Sequence, residues 1–166
     1  RLTAAFGALD TPFTKRLSAA LELKNLGIIP PFNPIERSTI REAWMPENEA
    51  AEEEFWRDEN YKAWKRDAEM LAIAAYCGWN NEGDKLVSAI SWWLRNGFGS
   101  LDDTALDAIV LLKDKAATDS IIGGVVASNP KYFAFGADNL LAEASRIRAE
   151  IDSVIERVPS VVPAEK

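Results

Sequence analysis

The pair of carboxylates closest to a metal-binding arrangement in this 166-residue chain is Glu49-x-x-Glu52. On a helix, residues three apart share a face. The E-x-x-D pair that helical nucleotide pyrophosphohydrolases set beside it on a second helix does not occur in the sequence. Asp103 and Asp107 share a face, but they fall in the first turns of an expected helix, where the macrodipole alone favours acids. The chain has no histidine. That rules out Ser-His-Asp and Cys-His nucleophilic systems, histidine-ligated zinc or haem, and the Glu-x-x-His carboxylate di-iron site. Cys77 is the only cysteine; it lacks a histidine base and reads as a small core residue. Gly123-Gly124 is not followed by the Lys-Ser/Thr of a phosphate-binding loop. No catalytic residue, metal ligand or cofactor is assigned, and the chain reads as not an enzyme.

The aromatic residues carry what remains. In "AISWWLRNG", residues 89–97, two tryptophans are adjacent. Successive helical side chains point about 100° apart, so both cannot centre on one narrow apolar stripe. Trp93 continues the row of Leu86 and Ile90 and belongs to the core. Trp92 shares its face with Lys85, Ser88, Arg95 and Asn96. Its indole is either covered by its own chain, under a proline-rich segment or the Arg95 guanidinium, or it is an anchor for a partner. Phe55 and Trp56 raise the same question beside Glu52 and Glu53. The candidate partner-binding residues are therefore Trp92, Arg95, Phe55, Trp56, Glu52 and Glu53. Trp44 is expected to pack under a loop, and Trp79, beside Gly78, to staple a helix end.

Charge narrows the partner. The net charge is −7, which opposes nonspecific nucleic-acid binding, since phosphate contacts need clustered Lys and Arg. Most of it comes from residues 47–59, where seven acids stand against Arg57 alone. That segment reads as a solvated acidic helix or as a surface for a basic partner. The longest uninterrupted apolar run, residues 70–79, is shorter than the roughly 20 residues that span a bilayer, so a soluble or peripheral protein is expected. The first residue is Arg1, compatible with a trimmed targeting segment and an organelle lumen.

The elements that position these residues are all helical. Thr11-Pro12 supplies a cap and a first-turn proline, Phe13, Leu17 and Leu21 recur every four residues, and Gly27 is the expected C′ residue. Residues 28–34 hold three prolines in seven and should run extended with apolar side chains down. A short helix follows through Ile40, Ala43 and Trp44. The longest pattern runs from Pro46 to about Gly78, with Tyr61, Trp64, Ala68, Leu71 and Ala75 in one row and Ala63, Met70 and Ala74 in the next. Residues 81–84 form a turn and cap before a helix that buries Leu86, Ile90, Trp93 and Leu94. Another helix starts near residues 100–103, with Ala105, Ile109, Leu112 and Ala116 on one face. "DSIIGGVVAS", residues 119–128, is apolar enough for a strand but has no partner strand, so it reads as helix. Its two glycines imply close helix approach, a bend or a contact site. Asn129-Pro130 opens a last helix whose inward positions are Phe133, Ala137, Leu140, Ala144, Ile147, Ile151, Val154 and Val158, a heptad seam.

The expected fold is all-α: an antiparallel bundle of four to six helices with a proline-rich extended segment near the N-terminus. Residues 1–45 form the first helix and crossing segment, 46–158 the bundle core and 159–166 a tail, within one domain. The expected function is a non-catalytic accessory subunit docking onto a larger protein assembly. The alternatives are a carrier of an apolar ligand or pigment, and a secreted effector or viral structural protein. In layout, over residues 12–158, the chain is similar to extrinsic lumenal subunits of photosystems, which are helical bundles with a proline-rich leading segment. That resemblance implies peripheral attachment and rests on no shared motif.

Overall fold

The structure, a computed structural model, describes residues 2, 4, 12–30, 60–95, 105–128 and 137–159, with the side chains of 60–67, 93 and 137–139 left aside. Six α-helices and no strand occur among the described residues: α1 Phe13–Asn25, α2 Asn60–Tyr76, α3 Gly83–Arg95, α4 Leu106–Leu112, α5 Lys115–Ser128 and α6 Ala137–Arg157. The all-helical expectation holds. The expected helix around residues 35–44 and the first half of the long 46–78 pattern lie outside the described residues.

The helix ends follow from local chemistry. Leu26 caps α1, Gly27 adopts φ +74, and the amides of Gly27 and Ile28 donate to the carbonyls of Lys24 and Leu23. This is a Schellman closure, in which a left-handed residue satisfies the last carbonyls of a helix. The same device ends α2, where Gly78 has φ +80 and Trp79 donates to Ala74. At the start of α1, Pro12 occupies the cap position itself (φ −55, ψ 146), and its carbonyl accepts from Lys15 and Arg16. Thr11 lies outside the described residues. Before α3 it is Asn80 that turns the chain, its Oδ1 accepting the Glu82 amide at 3.1 Å. The Glu82 carbonyl then accepts from the Leu86 amide, so α3 begins within the turn and cap expected at residues 81–84.

One expected helix is two. The chain breaks at Lys113, which is extended (φ −121, ψ 150), and Asp114 starts α5 by accepting the Ala117 amide at 2.8 Å through its side chain. A capping aspartate competes with helix continuation because its oxygen satisfies an otherwise orphaned N–H.

The seven-residue α4 is the centre of the fold. It packs against α2, α3, α5 and α6, and Leu106, Ala108, Ile109, Val110 and Leu111 are all buried. Asp107 and Leu112 are half-buried, and a helix this apolar is stable only when largely enclosed. Ala105, fully buried at its start, is held at φ 53, a backbone region sparsely used by non-glycine residues. In α2, residues 68–74 are buried without a break, where the apolar rows alone predict a one-sided face. The reason is the same: α1, α3 and α4 all pack on α2.

α6 follows the heptad prediction. Leu140, Ala144, Ile147, Ile151 and Val154 are buried and Val158 packs at the edge of the core. Phe133 and the side chain of Ala137 lie outside what is described. The opposite face of α6 is solvated, with Arg146 bonded to both Glu143 and Glu150.

α1 and α2 pack together and run in the same direction, where an antiparallel arrangement is expected. Arg16 pairs with Glu69 at 3.3 Å, 53 residues away, and at the same separation Lys24 is close enough to act electrostatically on Cys77. Asn25 then donates to the carbonyl of Pro159 at 3.0 Å. The C-terminal ends of α1, α2 and α6 therefore gather at one end of the molecule.

Candidate docking surface

Trp92 is half-buried and packs against the core from α3. It is thus neither a free-standing anchor nor wholly enclosed. Ser91 beside it is buried, its hydroxyl returned to the Val87 carbonyl at 2.7 Å. Arg95, one turn on, is exposed in the last turn of α3. Its Nη2 lies 3.8 Å from the point where a Cβ on Gly124 would stand, so the structure joins Arg95 to α5, a pairing the sequence did not suggest. Phe55, Trp56, Glu52 and Glu53 lie outside the described residues, as does the Trp93 side chain.

The glycine pair in α5 is not required by close helix approach. A methyl on Gly123 would meet nothing within 4 Å, and one on Gly124 would make an ordinary contact. The helix itself is odd for a surface element. Only Thr118, Ile122 and Val125 are buried along its 14 residues, although most of "IIGGVVA" is apolar.

A second surface was missed. Leu26, Ile28 and Ile29 are 64%, 46% and 67% exposed, and Tyr76 is 36% exposed at the matching end of α2. The expectation that residues 28–34 point their apolar side chains down fails at Ile28 and Ile29, and Pro30 is the first to be buried. The Schellman turn at Gly27 sets the exit direction of the chain, and it turns these side chains outward. The only sequence signal is the run of large aliphatics flanking a C′ glycine. Such residues commonly pack back on the last turn, so the signal points the other way.

The remaining polar groups are structural. Cys77 is 5% exposed, and burial pushes its thiol from the ordinary 9.0 up to about 11, with Lys24 opposing weakly. Such a thiol is neutral and unreactive near pH 7. Burial, with Cys77 and Asp152 nearby, also raises the Tyr76 hydroxyl above its usual range. An open groove of about 550 Å³ between the start of α1 and α6 is lined by Pro12, Thr14, Ala149, Glu150, Ser153 and Arg157. Its charges are engaged, Glu150 by Arg146 and Arg157 by the Ser153 carbonyl. Among the described residues no three His, Cys, Asp or Glu side chains gather as metal ligands, and no helix is long and apolar enough to cross a membrane.

The chain matches no protein-family model, no curated protein and no solved structure.

Proposed function

We propose that this chain is a non-catalytic, all-helical subunit that docks onto a larger protein assembly. The observation that carries the reading is the exposed trio Leu26, Ile28 and Ile29, three large aliphatic side chains within four residues. Each is worth about 1.5–3 kcal/mol when moved from water into an apolar environment. Single exposed aliphatics are ordinary, whereas a contiguous group marks an interaction site. The segment is also pre-ordered: the Schellman bonds and the Asn25 to Pro159 bond fix its exit from α1. Binding through it would cost little ordering entropy. Trp92 and Arg95 supply a second contact of the type that dominates interface energetics. The net charge of −7 favours a protein over a nucleic acid as partner.

The test is native electrophoresis and cross-linking mass spectrometry on untagged protein from its source. Wild type is compared with Leu26→Ser/Ile29→Ser and with Trp92→Ala, each first shown by circular dichroism to be folded. The wild-type chain should migrate in a large complex, with cross-links from Lys24 to one partner, and the double variant should migrate alone. Unchanged migration of both folded variants refutes the docking role. A wild-type chain that migrates alone and carries a copurifying lipid or pigment establishes the carrier instead.

A further inference from the structure

The charges around Leu26, Ile28 and Ile29 say what chemistry covers them. Glu22 stands one turn before Leu26 on α1, and both are exposed, so the carboxylate borders the aliphatic group on one face of the helix end. Asp152 of α6, also exposed, is close enough to act electrostatically on the Tyr76 hydroxyl. Neither acid is in an ion pair among the described residues. The C-terminal ends of α1, α2 and α6 gather at this end, and a helix C-terminus carries roughly half a negative charge. α2 has no basic residue in its last turn. Two cations stand against this. Lys24 is in the last turn of α1, but it lies towards α2, where it acts on the buried Cys77. Arg157 ends α6, but it is turned back along that helix, its Nε donating to the Ser153 carbonyl at 3.3 Å.

Resting on the docking role argued above, we propose that the partner protein covers Leu26, Ile28 and Ile29 with a basic amphipathic segment, in which large apolar side chains are flanked by Lys or Arg. The apolar side chains take the aliphatic trio out of water, and the cations meet Glu22, Asp152 and the helix ends. Charge complementarity of this kind acts mainly on partner choice and encounter rate. It also separates a protein from an anionic lipid surface, which would accept exposed aliphatics but repel the acids beside them.

The native complex, treated with a carbodiimide and read by mass spectrometry, tests this. The reagent joins carboxylates to amines in direct contact, so Glu22 or Asp152 should be found bonded to a partner lysine in a peptide that also holds large apolar residues. In Glu22→Gln/Asp152→Asn, shown by circular dichroism to be folded, the complex should weaken about 2- to 30-fold on dilution, as the loss of two exposed ion pairs implies. Charge reversal in Glu22→Lys/Asp152→Lys should weaken it further. Where arginine, which the reagent does not couple, takes the place of lysine, these two variants decide. A complex unchanged in both variants overturns the basic partner, and so does a bonded peptide without further cations or apolar residues. Sedimentation of the full-length chain with phosphatidylserine vesicles overturns it in favour of a membrane. If the complex depends on Leu26 and Ile29 but not on Glu22 and Asp152, the docking role stands and only the basic partner falls. A complex indifferent to Leu26→Ser/Ile29→Ser removes both.

Discussion

The Arg148 guanidinium in α6 donates to the buried hydroxyl of Thr118 in α5 at 3.0 Å, and the same nitrogen reaches the Lys113 carbonyl at 3.1 Å. Lys113 is where the chain leaves α4, so one side chain fastens the break between α4 and α5 to α6. Thr118→Val should lower stability by about 1–2 kcal/mol, because a partly buried cation loses an acceptor and the replacement keeps the volume. Arg148→Ala should cost more, since it frees both acceptors. Urea denaturation reads both as a lower midpoint at unchanged slope.

The glycines divide into two groups with opposite expected outcomes. Gly123→Ala should raise stability by about 0.5–1 kcal/mol, because the site is helical and open and glycine is entropically costly there. In a chain of this size that is a rise of roughly 1–4 °C in Tm. Gly78→Ala and Gly27→Ala should lower stability by about 1 kcal/mol each, since both sites have φ near +80 or +74 and an L side chain is strained there. Calorimetry on the three variants checks the signs. A loss at Gly123 would mean that the open space beside it is filled in the native protein.

α4 should be the most sensitive helix. Ile109→Ala at its fully buried centre should cost about 2–5 kcal/mol. Ile155→Ala on α6, only half-buried, should cost clearly less. Equal losses in chemical denaturation would refute the central placement of α4.

Alkaline pH should destabilise the fold through Cys77. Its thiol ionises near 9.0 when ordinary and near 11 when buried, so between those values the native state holds a proton that the unfolded state has lost. Stability is constant below pH 9 from this source and falls as pH rises towards 11, by an amount of the order of 2 kcal/mol. Tyr76, also raised, adds a loss of the same sign. Cys77→Ala should make the fall between pH 9 and 11 shallower, leaving the part due to Tyr76. If wild type and variant have the same pH dependence, the thiol is not sheltered.

Periodicity and punctuation by themselves determined the helical class and the closing ends of α1 and α2. The four- and three-residue spacing through Leu140, Ala144, Ile147, Ile151 and Val154 needs only one helix and one apolar side, so it was readable without neighbours. Gly27 and Gly78 were readable as helix ends because a left-handed closing residue is a local requirement. Tertiary structure decided what depends on how many surfaces surround an element. It buried residues 68–74 without a break and five of the seven residues of α4, and it left Ile28 and Ile29 in water despite their apolar character. It also brought Arg95 to Gly124 and placed Arg16 inside, paired with Glu69. Burial and pairing of this kind are properties of two or more segments at once, and a linear pattern carries information about only one.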